Sequence, residues 1–298
     1  MLTINPKEIP VPKLHHYLLG AIGPRPIAFA STVDISGNEN LAPFSFFNVF
    51  SSNPPVLIFS PARSGRTNTT KDTYNNVKEV PEVVVNVVNF DIVHQMSLAS
   101  SPFSANINEF EKAGFTAIDS ETIQPKRVAE SPVQFECKVT EVKELGDQGG
   151  AGNLVICEVL RIHIHESVLD GDQMIDQEKI DLVSRMGGNW YCRADEKSMF
   201  EIMKPITTIG IGFDQLPEDI RKSSILTGND LGQLAGIEEL PNETDVNEFK
   251  LLELSDLFVS LEDDAVQLEK ELHSKAKILL NEHKLEEAWL TLLSFNNG

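Results

Sequence analysis

Ile27-Ala-Phe-Ala-Ser-Thr-Val33, then Asp34-Ile-Ser-Gly37, then Asn40-Leu-Ala-Pro-Phe-Ser-Phe-Phe-Asn48 is the stretch whose reading decides the fold. The first seven residues are strand formers, and the Asp-to-Gly tetrapeptide reads as a turn. The segment Leu41 to Phe50 therefore returns at hairpin distance as a second extended run. Outward from this pair the pattern repeats. Val56 to Ser60 is a short apolar run closed by prolines, and Val83 to Val88 is β-branched, so both have the length and composition of buried strands. Phe135 to Val142 and Leu154 to His163 read as antiparallel partners joined through the glycine-rich Gly146 to Gly152. Short helices are predicted near Thr70 to Val77, Asp91 to Ser97 and Asn108 to Ala113. Many short strands with close turn signals and few long helices predict a mainly β protein, an antiparallel barrel or sandwich.

Beyond about Ala194 the periodicity changes. Asn247 to Leu261 and Asp264 to Leu280 carry apolar residues at helical spacing, and Leu285 to Leu293 reads as a last helix. The expected organisation is a β domain over 1–194 and an acidic, mainly helical C-terminal extension over 195–298. The net charge is −20. From Asp195 onward 22 acidic residues face 9 basic ones, a net of −13, which leaves −7 for the first 194 residues. The acidic side chains of the extension read as solvated helix faces used for packing or dimerisation, with a dedicated docking surface as the other reading.

This composition excludes several classes. Clustered Lys and Arg, needed to hold a phosphate backbone, are scarce, so no nucleic-acid partner is expected. No apolar run approaches the length of a membrane span, and Met1 to His15 lacks a signal-peptide apolar core. Cys137, Cys157 and Cys192 are far apart and match no metal or redox spacing, which together with the missing signal predicts a reducing, cytoplasmic setting. Neither a Rossmann glycine motif nor a P-loop is present. His163-x-His165 places two imidazoles on one face of a predicted strand without a third ligand, so these read as structural or exposed histidines and no metal site is expected.

Three neighbouring segments carry chemistry: Gly23-Pro-Arg-Pro-Ile-Ala-Phe-Ala-Ser-Thr32; Asn40 to Asn48 followed by Pro54-Pro55; and Ser60 through Arg63 to Lys71-Asp-Thr73. A flavin mononucleotide needs cations and donors for its phosphate and an apolar wall with backbone groups for its ring. Arg63, Lys71, Thr73, Ser45 and Ser60 are the residue types for the first task, and Phe44-Ser-Phe-Phe-Asn48 for the second. Each segment alone also reads blandly: a Ser-Phe-Phe run as strand core, Lys-Asp-Thr as a solvated helix start, Arg63 as a solubilising loop residue.

In order and spacing these segments resemble the flavin reductase-like family. The resemblance extends through Glu109-Phe-Glu-Lys-Ala-Gly114, Glu130-Ser-Pro132, Phe135-Glu-Cys-Lys138 and Arg185-Met-Gly-Gly-Asn-Trp-Tyr191, and covers roughly Pro12 to Arg193. It implies a six-stranded Greek-key split β-barrel of the FMN-binding type, a homodimer, with non-covalent FMN near the subunit interface. It also implies that Ser31 and Thr32 lie beside the phosphate and ribityl chain, and that Ser45, Phe46, Phe47 and Asn48 meet ring and ribityl. By the same resemblance Ser60, Arg63, Lys71 and Thr73 gather at the phosphate, Asp72 orients its neighbours or caps the short helix, and Arg185 and Tyr191 approach the ring. No catalytic protein residue is required, because the flavin carries the redox chemistry. The expected activity is an FMN-dependent oxidoreductase using NADH or NADPH to reduce free flavin or another small acceptor. Two other readings stay open: an electron carrier whose flavin serves a redox protein partner, and a related barrel holding haem.

Overall fold

The computed structural model describes residues 1–104, 107–202 and 204–295, which fall into two compact units, Met1–Phe200 and the remainder from Glu201 onward. The first unit opens with α1 (Val11–Ala21), β1 (Ala28–Val33), β2 (Glu39–Phe44), β3 (Phe47–Ser52) and β4 (Pro55–Phe59). It continues through α2 (Asp72–Glu79), β5 (Glu82–Val87), α3 (Val93–Ala99), α4 (Glu109–Ala113), β6 (Ala117–Ile118) and β7 (Arg127–Val128). The long β8 (Val133–Glu144) and β9 (Asn153–Ile164) and the short hairpin β10 (Val183–Arg185) and β11 (Tyr191–Arg193) complete it.

Seven strands form one antiparallel sheet in the order β2-β1-β5-β8-β9-β4-β3. The expected hairpin is present, with Ser31 opposite Leu41 and Thr32 opposite Asn40. It stops at Phe44, however, and the single extended segment expected over Leu41 to Phe50 is two strands. β2 lies at one edge of the sheet and β3 at the other, yet only Ser45 and Phe46 separate them in the chain. A chain can cover at most about 11 Å between Phe44 and Phe47. The sheet must therefore curl until its two edges approach at Ser45-Phe46. This split of one segment across two edges is also why the sheet has seven strands where the resemblance implies six.

Alternation along the strands separates two cores. Ala28 and Ala30 pack inside the curl with Phe59, Val85, Cys137 and Cys157. Phe29 and Leu41 face outward, where Met96 of α3 and Phe110 of α4 cover them. Cys137 and Cys157 are buried core residues, and the neighbouring Cys157 together with burial pushes the Cys137 thiol up. His163 and His165 are structural: the Nε2–H of His163 donates to the buried Glu136 carboxylate at 2.7 Å, and His165 Nδ1 pairs with Ser167 Oγ at 2.7 Å. Among the described residues no cluster of three or more metal-ligating side chains occurs.

The second unit is helical: α5 (Glu218–Arg221), α6 (Gly228–Leu234), α7 (Glu243–Glu253), α8 (Ser255–Ser260), α9 (Ala265–Asn281) and α10 (Leu285–Leu293). The periodic run over 247–261 is broken at the buried Leu254, which ends α7 and leads into α8. α6, not foreseen from periodicity, starts on a reciprocal cap in which Thr227 and Asp230 satisfy each other's backbone N–H. Trp289 of α10 is fully buried and donates its indole N–H to Leu234 O at 3.1 Å. No described helix is long and apolar enough to cross a membrane.

Candidate functional site

The junction of the two sheet edges opens into a cleft with two lobes that share Pro43, Ser45 and Ser100. The larger lobe, about 290 Å³, is lined by Phe44, Phe46 and Leu19 and by the polar side chains of Ser60, Lys71 and His15. The smaller lobe, about 220 Å³, adds Ile27 and Met96 on its apolar side and Arg185 and Tyr191 on its polar side. In a chain with 45 carboxylates, no Asp or Glu lines either lobe.

Each wall has a local cause. β2 and β3 deliver Ser45 and Phe46 into the gap, and no hydrogen bond joins Ser45 to any other described residue. Its peptide N–H and C=O are thus unclaimed, which for a half-buried residue is uncommon unless something else meets them. Phe46 is held through its carbonyl, which accepts from Ser60 N at 2.9 Å, and its ring meets His15 of α1 edge-on at 6.3 Å. Ser60 is buried because the glycine-rich β8–β9 connection closes over it: Asn153 N donates to Ser60 Oγ at 3.0 Å, and a Cβ at Gly152 would sit 3.0 Å from that oxygen. The same connection ties down the loop after Ser60 by Arg63 N to Ala151 O at 2.9 Å and Asn68 Nδ2 to Asp147 O at 3.0 Å.

Lys71 stands at the N-terminus of α2, which begins without a side-chain cap. The free first-turn N–H groups stand beside the ammonium, with the Asp72 carboxylate in the same turn. Asp72 is the first helical residue and does not cap α2, in contrast to one of the two roles expected for it. α2 is anchored to β1 and β2 by a buried amide–hydroxyl network. Asn40 Nδ2 donates to Thr73 Oγ1 at 2.9 Å and to Thr32 Oγ1 at 3.2 Å, and Asn76 Nδ2 donates to Thr32 Oγ1 at 3.1 Å.

The sequence-derived residues are accordingly distributed. Ser45, Phe46, Ser60 and Lys71 meet around the larger lobe, and Arg185 meets Ser45 across the smaller one. Thr32 and Thr73 spend their hydroxyls in the network under α2. Ser31, on the same sheet face as Phe29, is fully buried, and its hydroxyl has no partner among the described residues. Phe47 packs against the inner core, Asn48 is exposed and accepts from Val49 N at 2.8 Å, and Arg63 donates to Asn68 Oδ1 at 2.8 Å and Asn68 O at 2.6 Å. His15, Leu19, Met96 and Ser100 line the cleft without having been foreseen. The motif flanks them, but only the docking of α1 and α3 brings them to the gap.

A second arginine braces the small lobe. The guanidinium of Arg25, buried, donates to the carbonyls of Leu19, Ile22 and Met186, and so fastens the end of α1 to the β10–β11 hairpin. Gly187 permits that approach, since a Cβ there would lie 3.2 Å from Gly20 Cα. Burial, and then the nearby Arg185 charge, lower the pKa of Arg25. Arg185 itself stacks over the Tyr191 ring at 4.5 Å.

This geometry has relatives among known proteins. A structure of nitrilotriacetate monooxygenase component B from Bacillus cereus superposes with a TM-score of 0.63 at 33% identity, covering 68% of this chain and 98% of that one. The 2-nitrobenzoate 2-nitroreductase of Pseudomonas fluorescens gives 0.62 at 26% identity, covering 71% of this chain and 100% of that one. A protein of Shewanella frigidimarina described as a flavin reductase with split barrel domain shares the fold, with a TM-score of 0.56 at 23% identity over 66% of this chain and 96% of that one. The sequence profile described as "Flavin reductase like domain" matches residues 21–180, more than half of the chain, from the end of α1 to just short of the β10–β11 hairpin. By that match, and by the curled sheet that carries its motifs, the chain belongs to the flavin reductase-like family.

Proposed function

We propose that the chain binds FMN non-covalently in the larger lobe and acts as an NAD(P)H-dependent oxidoreductase that reduces free flavin or another small acceptor. The observation that carries this reading is the lobe itself: aromatic side chains and unclaimed peptide groups at Ser45 together with Ser60 and Lys71, the residue that leads into the uncapped α2, and no carboxylate in the lining. That donor set suits a ligand with a flat ring at one end and a dianionic phosphate at the other. Lys71, Ser60 and the first-turn N–H groups of α2 would hold the phosphate. Phe44 and Phe46 would face the ring system, and the Ser45 peptide would meet its polar edge. When bound, the flavin supplies the hydride and electron chemistry. The protein's own contribution is to orient the ligand, to exclude water with Leu19 and Phe46, and to keep carboxylates away from a group that gains negative charge on reduction.

Support also comes from the relatives, whose names are those of a monooxygenase component and a nitroreductase. We include in the same reading the split-barrel closure of the curled sheet, a homodimer, and a flavin domain confined to the first unit.

The test is a pair of titrations followed by anaerobic addition of NADH or NADPH. Lys71→Ala should weaken FMN at least about tenfold, the loss of a charge-assisted contact, while riboflavin, which lacks the phosphate, changes less than threefold. Equal losses would place the phosphate elsewhere. Repeated bleaching of bound flavin by either nucleotide is the expected turnover. Flavin that stays oxidised with both, yet is reduced by a redox protein, would replace the oxidoreductase with an electron carrier.

A further inference from the structure

The smaller lobe holds a charge that no described residue balances. Arg185 and Arg25 are close enough for the charge of one to act on the other, and among the described residues neither forms a salt bridge with a carboxylate. Arg25 gives its two terminal nitrogens to three backbone carbonyls, and its buried Nε–H has no partner among the described residues. Among the described residues the Arg185 side chain makes no hydrogen bond and meets only the face of Tyr191, which leaves the edge of the guanidinium, with its fork of N–H donors, open to the lobe. Ser100 Oγ donates to Ser97 O at 2.6 Å and keeps its lone pairs, and the Tyr191 hydroxyl has no described partner. Two like charges held together, one of them facing a cavity in an otherwise acidic chain, are stabilised by an anion in that cavity.

We infer that the Arg185 lobe is the binding site for the carboxylate of a small acceptor, with the guanidinium of Arg185 as its anchor and Ile27 and Met96 as the apolar surface beneath its carbon skeleton. Size sets the class of ligand. At about 220 Å³ this is the smaller of the two lobes, and one guanidinium with two apolar side chains in its lining suits a molecule the size of benzoate. The planar guanidinium fork matches a carboxylate in two-point contact. The walls shared with the larger lobe, Pro43, Ser45 and Ser100, set a molecule held by Arg185 directly beside whatever occupies that lobe. This inference rests on the FMN reading of the larger lobe and adds the substrate class.

The test is calorimetric titration of the FMN-loaded chain with benzoate, benzamide and inorganic phosphate, alongside a separate titration of the chain with FMN. Wild type should bind benzoate at least tenfold more tightly than benzamide and than phosphate. Arg185→Gln should reduce benzoate to the level of benzamide while FMN changes less than threefold, and Arg185→Lys should retain part of the preference. Equal binding of benzoate and benzamide by wild type overturns the inference, as does a preference that survives in Arg185→Gln with FMN still bound. Phosphate that binds as tightly as benzoate, or a loss of FMN affinity as large as the loss for benzoate, reassigns Arg185 to the flavin and overturns it too. A wild-type chain that takes up no FMN sinks the flavin reading in its own titration, and this inference falls with it.

Discussion

At the scale of single residues, the cleft depends on a contact that leaves no room. Gly152 has an ordinary backbone conformation, so no positive φ demands glycine; the demand comes from Ser60 Oγ, 3.0 Å from where a Cβ would stand. Gly152→Ala should push the hydroxyl and the Asn153 N–H apart, costing about 1–3 kcal/mol of stability by overpacking and weakening FMN severalfold. Urea unfolding and FMN titration of the variant check both. An unchanged FMN affinity beside a measurable stability loss would show that Ser60 serves the loop and not the ligand. The residue types of the motif were legible in the sequence, but their assignments were not. Thr32 and Thr73 have the same hydroxyl chemistry as Ser60, yet they face amides inside the sheet–helix junction. Strand parity and the docking of α2 decide that, and neither is visible in a single run of letters.

At the scale of elements, the segment that links β6 to β7 is fastened to the main sheet by a buried carboxylate. Glu136 of β8 accepts from the N–H of Glu121 at 2.8 Å, the N–H of Thr122 at 2.8 Å, the Thr122 hydroxyl at 2.5 Å and His163 Nε2 at 2.7 Å. Burial pushes this carboxyl up, but the hydrogen bonds outweigh it and hold its pKa down to about 2 from an ordinary value of 4.5. A folded-state pKa below the unfolded one gives stability that is complete above about 4.5 and is lost as the pH falls toward about 2. The shift corresponds to roughly 3 kcal/mol. Glu136→Gln should therefore cost on that order at pH 7 and progressively less between pH 4.5 and 2, a convergence that urea unfolding at several pH values would reveal. A constant difference across that range would mean that packing, not ionisation, carries the effect. Sequence periodicity found β8 and β9 and their pairing, since both alternate over many residues. It missed α1, which has an entry proline and buries none of its residues, and α6, which starts on a reciprocal cap.

At the scale of the molecule, the two units have separate cores. The first gathers strand residues around Phe59 and Phe29, the second helix residues around Trp289 and Leu272. Scanning calorimetry should therefore resolve two transitions, and FMN at about 100 times its Kd should raise the first by the equivalent of about 2.7 kcal/mol while leaving the second in place. A single transition, or equal shifts of both, would show that the helical unit folds with the flavin domain and shares its ligand.

The sequence by itself determined the main strands apart from the break between β2 and β3, the acidic helical second part and, through the order of Gly-Pro-Arg-Pro, Ser-Phe-Phe-Asn and Lys-Asp-Thr, the family. Those features are local: alternation, turn chemistry and motif spacing are written in consecutive residues. Only the tertiary structure decided that Ser45 and Phe46 lie in a gap between two sheet edges, that His15 and Leu19 join them, and that Arg185 looks into a second lobe beside Arg25. Each of those facts comes from bringing distant segments together. The curl of a sheet ordered β2-β1-β5-β8-β9-β4-β3 is a property of long-range pairing, and no run of neighbouring residues encodes it alone.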